Sequence, residues 1–205
     1  MAVSPSTATA VAAVGVVQQG HVVILVTVAA DGRLLDRRRV PLTADLPTHP
    51  YHHEGSWAVG RYLSTPGARA LSLDDAMALV RRVTDAAEAG AGQALDAVAS
   101  SVTARIETVA IRACAAIPAS VEARIRDHRA QAMADSVMYR HAVAAAATAR
   151  GWAVSWYDGT GVLDDETVAP VLAAMGHTAG VPWQAAHRQA AAGAFAALAS
   201  RAPRG

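Results

Sequence analysis

The residues best suited to acid–base chemistry lie in one stretch of the sequence, between Arg124 and Tyr139. Only 17% of the chain is charged, yet this stretch brings together acids, bases, a histidine and a tyrosine. Their spacing of i, i+3/i+4, i+7 and i+11 places them on one side of an α-helix. We call this set the polar stripe, and it comprises Arg124, Asp127, His128, Gln131, Asp135 and Tyr139.

Two interpretations of the polar stripe follow from its chemistry. As the wall of a pocket or a partner surface, it would use Asp135 or His128 as acid or base, with the Tyr139 hydroxyl beside them. The same pocket would be completed by the binding residues Arg124, Asp127, Gln131 and Arg140. Alternatively, the stripe is a solvated helix face that is braced by ion pairs and hydrogen bonds at i, i+4 spacing.

A second group with ligand chemistry lies in a proline-containing segment. His52, His53 and Glu54, with His49 just before them, offer imidazole and carboxylate ligands suited to Zn²⁺, Fe²⁺ or Ni²⁺. In an extended segment, however, the adjacent His52 and His53 would point to opposite sides. The sequence therefore leaves open a divalent-metal site and an ordinary polar loop.

Other residues with chemical potential have simpler structural interpretations. The three arginines of Arg37–Arg39 alternate between two faces of a strand, which is typical of a charged edge strand, although phosphate contact by two of them stays open. Trp152, Trp156 and Trp183 are predicted to fill the core or an interface rather than to stack on bases. Cys114 ends an apolar strand and is predicted to be buried and unreactive.

The composition limits the class of protein. With 205 residues and a net charge of +1, the chain lacks the positive excess typical of a sequence-independent nucleic-acid-binding protein. A hydrophobic fraction of 53% excludes disorder. The single cysteine excludes an intramolecular disulfide and a multi-thiolate metal site, and it favours a cytoplasmic protein. No apolar run is long enough to predict a membrane span or a membrane partner.

The elements that would position these residues are strands alternating with helices. Residues 1–20 are expected to form a flexible arm, and residues 21–205 a single α/β domain. A buried strand over Val22–Val28 leads through the Asp31-Gly32 turn into a more polar strand that ends at Val40. The remaining pattern predicts a third strand or short helix over Ser56–Leu63, a helix from Ser72 that breaks or bends at Gly90 and Gly92, a strand over Thr108–Cys114, a helix over Ser120–Arg150, a strand over Trp152–Tyr157, and helices over Asp164–Met175 and Pro182–Ser200.

This order of elements resembles that of the ribonuclease H-like superfamily, which includes the Holliday-junction resolvases. The resemblance covers roughly Val22 to Ala199 and rests on the order of elements, not on a specific motif. It implies an α/β fold in which a mixed sheet opens with a β-hairpin and is flanked by helices. In this comparison Val109–Cys114 would be the fourth strand, Trp152–Tyr157 the fifth, and the helix from Pro182 the closing one.

The resemblance also implies where metal ligands should lie. Nucleases of this superfamily place acidic residues on the first strand, near the fourth strand and on the last helix, and these acids hold two metal ions. Here the predicted first strand offers Val26–Val28, and the fourth ends in Ala113–Ala115. The last helix offers His187, a candidate binding residue that can act as a ligand but carries no negative charge. The acidic centre is therefore incomplete.

These observations favour a ribonuclease H-like module that binds a partner, either protein or nucleic acid, without metal-dependent cleavage. One alternative is a nuclease of structured nucleic acid that uses acids from unexpected positions, namely Asp31, Glu107, Asp127 and Asp135. Another is a small-molecule enzyme that uses the His52/His53 and Asp135 regions, with a divalent metal as a possible cofactor. The alanine-rich last helix further suggests a homo-oligomer, because small side chains let a neighbouring backbone approach.

Overall fold

The computed structural model describes residues 10–51, 71–159 and 161–201. Within them, five strands form one mixed sheet in the order β3-β2-β1-β4-β5. The strands are β1 (Val11–Gln19), β2 (Val22–Ala29), β3 (Leu34–Pro41), β4 (Arg105–Arg112) and β5 (Ala153–Tyr157). β1, β2 and β3 are antiparallel neighbours, whereas β1, β4 and β5 run parallel to one another. The expected mixed sheet that contains a β-hairpin is therefore confirmed.

The expected flexible arm is wrong from Val11 onward, because Val11–Gln19 is the central strand of the sheet. Most residues of β1 are buried, and β1 pairs with β2 on one side and with β4 on the other. The strand over Val22–Ala29 is therefore the second strand and not the first. The hairpin through Asp31-Gly32 joins β2 to β3 as predicted, and Gly32 has a φ of +83° that favours glycine.

Five helices flank the sheet in the described ranges: α1 (Leu73–Ser101), α2 (Val121–Arg126), α3 (His128–Ala149), α4 (Val168–Ala179) and α5 (Ala185–Ala199). α1 continues through Gly90 and Gly92 without the expected break. A Cβ atom at Gly90 would lie 2.1 Å from the Leu42 carbonyl oxygen, so glycine permits close packing there. The predicted third element over Ser56–Leu63 lies outside the described residues.

The polar stripe does not lie on one helix, because the helix is interrupted at Asp127, between α2 and α3. The Asp127 carboxylate accepts hydrogen bonds from the backbone N–H groups of Arg129 (2.8 Å) and Ala130 (3.2 Å), so it caps the N-terminus of α3. The predicted helix over Ser120–Arg150 is therefore two helices.

The two faces of the sheet have separate apolar cores. On one face, Val14, Val16, Val23 and Leu25 pack with the buried residues of α1 and α3. On the other, Ala13, Ile24, Val26 and Val28 pack with α4 and α5. Because both faces of the sheet are covered, β2 is apolar at every position except Thr27.

α5 packs unusually close to β1. A Cβ atom at Gly15 would lie 1.7 Å from the carbonyl oxygen of Ala190, so only glycine fits there. Ala190, Ala194 and Ala197 are buried within the chain itself. The alanines that suggested self-association are therefore used to pack this helix on its own sheet.

No helix in the described ranges is both long and apolar enough to cross a lipid bilayer.

Candidate functional site at the carboxyl edge of the sheet

The carboxyl ends of the parallel strands β1, β4 and β5 lie at the same edge of the sheet, which is where open α/β sheets bind ligands. Arg112 ends β4, Tyr157 ends β5, and the two residues are paired in register. The Ala113 N–H donates to the Tyr157 carbonyl oxygen at 2.8 Å, so the pairing continues past β4. This edge fixes the positions of both side chains.

Tyr157 fills the place where β1, β5 and α5 converge. Its hydroxyl donates a hydrogen bond to the Val16 carbonyl oxygen on β1 at 3.3 Å. Its ring lies against Gly193 of α5, where a Cβ atom would be 2.6 Å from the ring. Burial raises the pKa of Tyr157 to about 12, so the phenol is neutral at physiological pH. A neutral phenol therefore occupies this convergence.

A cleft of about 370 Å³ opens beside this edge. Arg112 approaches it from β4 and Arg140 from α3, and Arg140 Nη1 donates to the Ala113 carbonyl oxygen at 3.1 Å. Asp158, just after β5, contributes one carboxylate to the lining. The cleft is lined by Arg112, Ala113, Cys114, Ala115, Ala132, Met133, Ser136, Val137, Arg140, Asp158 and Gly159. Its side chains carry two positive charges and one negative charge.

The donor set at this edge does not fit the two-metal centre that the fold implies. Neither β1 nor α5 contains an acidic residue. Glu107 lies near the start of β4 and is engaged by Arg105 and, at 3.9 Å, by Arg201. Within the described part of the chain, no three His, Cys, Asp or Glu side chains are grouped so that they could hold a metal ion. Among the described residues, Asp158 is the one carboxylate in the lining of the cleft, whereas a two-metal centre requires several converging carboxylates.

The other acids proposed for a nuclease are engaged in separate places. Asp31 pairs with Arg33 in the β2–β3 turn at 2.7 Å, and the hydrogen bond from Arg33 lowers the pKa of Asp31. Asp127 caps α3, and Asp135 is buried under a loop. The structure therefore does not bring Asp31, Glu107, Asp127 and Asp135 together.

Asp135 and Tyr139 of the polar stripe are buried, so they are not part of a solvated helix face. They hold the segment that follows β3. Asp135 Oδ1 accepts from the Tyr51 N–H at 3.0 Å, and Oδ2 lies 3.4 Å from His49 Nδ1. The Tyr139 hydroxyl donates to the Thr48 carbonyl oxygen at 2.9 Å. We call these contacts of Asp135 and Tyr139 with residues 48–51 the loop latch, and they hold the segment after β3 against α3.

The surroundings of Asp135 change its acidity. Its side chain is 4% exposed, and burial raises its pKa to about 7, although the Tyr51 N–H opposes this shift. Burial also raises the pKa of Tyr139 to about 12. Asp135 therefore exchanges its proton near neutral pH, but inside the loop latch and not in an open site.

The remaining residues of the stripe serve different parts of the structure. Arg124 donates to the carbonyl oxygens of Pro118 (2.6 Å) and Ala119 (3.0 Å) and to the Tyr51 hydroxyl (3.4 Å). Gln131 is fully buried, with Nε2 donating to the Ile125 carbonyl oxygen. His128 is exposed at the start of α3. Among the predicted site residues that the structure describes, Arg140 alone lines the cleft at the carboxyl edge.

Replacing Asp127 tests whether its role is capping alone. Asp127→Ala is expected to lower the free energy of unfolding by about 1 kcal/mol, because the N-terminus of α3 loses its capping acceptor. Asp127→Asn should stay close to wild type, since asparagine caps equally well. Urea denaturation of the three proteins measures this, and equal stability of all three would show that the cap contributes nothing.

His187 lies at the start of α5 and is buried. Its Nδ1 accepts from the Gln184 N–H at 3.2 Å, and burial lowers its pKa, assisted by the charge of Arg37. It therefore forms part of the helix cap, as a neutral imidazole. The proposed metal ligands His52, His53 and Glu54 lie outside the described residues.

The arginines Arg37–Arg39 lie on β3, which is an edge strand of the sheet as predicted. Arg37 donates to the carbonyl oxygens of Gly180, Val181 and Pro182 between α4 and α5. Arg38 pairs with Asp36 at 2.7 Å and donates to the Ser101 hydroxyl at 2.9 Å. Trp156 is 42% exposed on the edge strand β5 and lies 5.5 Å from the His141 ring, so it does not fill the core, and the predicted alternative of an interface stays a prediction.

Sequence reasoning missed Arg112, Tyr157 and Asp158. The available signal was the strand end, since Arg112 closes an apolar strand and Tyr157-Asp158 close the next one. Parallel strands place such residues at a common edge. The sequence pattern instead predicted a site at the polar stripe, because its polar residues lie closer together in the sequence.

The sequence matches no protein-family model and no curated protein. The fold does match solved structures. The structure of T. thermophilus RuvC in complex with a Holliday junction substrate has a TM-score of 0.52 at 19% identity, covering 93% of this chain and 95% of that chain. Another structure of Thermus thermophilus RuvC gives a TM-score of 0.48 at 16% identity. The sheet order, the flanking helices and the first of these matches together show that the chain has a ribonuclease H-like fold.

Proposed function

We propose that this chain is a ribonuclease H-like module that binds structured nucleic acid at the carboxyl edge of its sheet and does not cleave it. The observation that carries the proposal is the pair Arg112 and Arg140, which come from different elements and line one cleft. This cleft lies at the carboxyl ends of β4 and β5, beside α3. An edge that carries arginines repels divalent cations and attracts phosphates.

The chemistry of arginine supports a nucleic-acid backbone as the ligand. A guanidinium group donates two parallel hydrogen bonds to phosphate oxygens and keeps its charge at any physiological pH. Arg140 is positioned by its bond to the Ala113 carbonyl oxygen, and Arg112 by the strand pairing. The net charge of +1 does not oppose this proposal, because binding depends on local charge and the described lining of the cleft carries two arginines against one carboxylate.

The comparison supports nucleic acid over a protein partner. The solved chain with the TM-score of 0.52 is described in complex with a Holliday junction substrate. That substrate is a branched nucleic acid, so branched DNA is the first ligand to test. The expectation that the chain does not cleave rests on the donor set at the carboxyl edge, where Asp158 is the one described carboxylate in the cleft lining beside two arginines and Tyr157 is neutral.

The test is fluorescence anisotropy with a labelled four-way junction, a duplex and a single strand in buffer that contains EDTA. The wild type is expected to bind the junction without metal, and salt should weaken this binding. Arg112→Gln/Arg140→Gln should lower affinity by about ten- to a hundredfold, and the dependence of log affinity on log salt should be shallower by about 2.

The matched control is Arg81→Gln/Arg82→Gln, which removes two exposed arginines from α1. It should bind as the wild type does, and thermal melting should show that both variants are folded. Absence of binding by the wild type, or equal binding by the variant and the control, would contradict the proposal. Cleavage of the junction in Mg²⁺ or Mn²⁺ that EDTA abolishes would contradict the proposed absence of cleavage. The same cleavage assay also tests the metal-site hypothesis for His52, His53 and Glu54.

A further inference from the structure

A groove lies between α4 and α5, on the face of the sheet opposite α1 and α3. Its volume is about 690 Å³, within the range of roughly 300–1,000 Å³ that is typical of small-molecule sites. Most of its lining is apolar, and small residues of both helices make the space. It is lined by Leu163, Ala169, Leu172, Ala173, Gly176, His177, Trp183, Ala185 and Arg188.

The aromatic wall of this groove is fixed in position. The indole of Trp183 lies against Gly176, where a Cβ atom would be 3.0 Å from the ring, so any larger residue on α4 would displace it. On another side, Trp183 stacks on the His187 imidazole, with centroids 5.9 Å apart and planes at 22°. The backbone just before it is held by Arg37, which donates to the carbonyl oxygens of residues 180–182. The wall is therefore formed before any ligand arrives.

The polar groups of the groove are basic. Arg188 and His177 are the ionisable residues among those that line it, and the lining contains no carboxylate. No hydrogen bond or ion pair joins the Arg188 side chain to another residue in the ranges that the structure describes. An arginine at the margin of an apolar groove favours a ligand that carries a negative charge.

We propose that this groove binds a small apolar anion, an aromatic or aliphatic molecule that carries a carboxylate, sulfonate or phosphate group. The apolar part lies against Leu172 and the face of Trp183, where it is removed from water. The anionic group contacts the Arg188 guanidinium. This site is separate from the carboxyl-edge cleft, because the two share no lining residue.

Two fluorescent probes that differ in one charged group test this proposal. Anilinonaphthalene sulfonate and phenylnaphthylamine share the same aromatic skeleton, but only anilinonaphthalene sulfonate carries a sulfonate group. The wild type is expected to bind the sulfonate probe more tightly, with energy transfer from tryptophan to the bound probe. Arg188→Gln should weaken the binding of the sulfonate probe by about tenfold and leave that of the neutral probe unchanged, because the charged hydrogen bond to the sulfonate is lost. Trp183→Ala should weaken the binding of both probes.

The control is Arg82→Gln, which removes an exposed arginine from α1 and should change neither probe. Equal loss in Arg188→Gln and Arg82→Gln would overturn the proposal, because it would indicate a general charge effect. So would equal binding of the two probes by the wild type. Light scattering is recorded in parallel, and a dimer that excludes the sulfonate probe would assign the groove to a second copy of the chain instead. None of these results depends on nucleic-acid binding.

Discussion

Gly15→Ala is expected to destabilise the chain by about 3 kcal/mol or more, which is at or above the usual cost of overpacking a core. The added Cβ atom would lie 1.7 Å from the Ala190 carbonyl oxygen and 2.5 Å from the carbonyl carbon. Both are backbone atoms, so no side-chain rotation relieves the overlap and α5 must move away from β1. Urea denaturation followed by circular dichroism measures the loss.

Gly92→Ala is the matched control, because it adds the same atom where there is room. The nearest atom to a Cβ at Gly92 is Arg150 Nη2 at 3.7 Å, and Gly92 lies inside α1. Alanine should stabilise the helix here by about 0.5–1 kcal/mol. The two variants should therefore change stability in opposite directions. A Gly15→Ala protein as stable as the wild type would contradict the close packing of α5 on β1.

Asp135→Asn is expected to change how stability depends on pH. The pKa of Asp135 is about 7 in the folded chain and near 3.8 in the unfolded chain, so the folded state holds its proton more tightly. The stabilisation is fully present below about pH 3.8 and is lost as pH rises through about 7. Between about pH 5 and 8, the wild type should lose on the order of 3 kcal/mol relative to Asp135→Asn, whose side chain does not titrate.

The other groups around Asp135 enter the same measurement. His49 lies 3.4 Å from its carboxylate, and the Tyr51 N–H donates a hydrogen bond to it. Tyr139 donates to the Thr48 carbonyl oxygen of the same loop, and Arg124 donates to the Tyr51 hydroxyl. Taking the difference between wild type and variant removes the titration of groups that the substitution leaves unchanged. Asp85→Asn, at an exposed position on α1, should follow the wild-type pH profile. Parallel profiles for wild type and Asp135→Asn would contradict the raised pKa.

The sequence predicted much of the sheet but not its centre. The strands around Val22–Val28, Thr108–Cys114 and Trp152–Tyr157 were recognisable because they contain β-branched or aromatic residues. β1 was missed because it contains alanine and Gly15, which have low strand propensity. Gly15 is explained by α5, because the Ala190 carbonyl oxygen lies almost in contact with the backbone of β1. Tertiary packing, not local preference, therefore requires glycine at this position.

The same reason limits prediction of the site. Helical spacing put Asp135 and Tyr139 on one face of α3, but spacing cannot tell whether that face is covered. The segment after β3 covers it, and this contact joins residues far apart in sequence, such as Thr48 and Tyr139. Arg112 and Arg140 likewise line one cleft only because the middle of α3 lies beside the carboxyl end of β4. Chemistry that depends on such distant pairs is not visible in a local pattern.

The central position of β1 has a consequence for the order in which the chain can fold during synthesis. β1 pairs with β2 through the short turn at Gly20-His21, so this hairpin can form as soon as both strands leave the ribosome. Its other edge pairs with β4, where Val14 lies beside Val109, and that strand is made only after the whole of α1. Until then the apolar edge of β1 is unpaired, and unpaired strand edges promote aggregation. Nascent chains stalled before β4 should therefore be those that most need a chaperone.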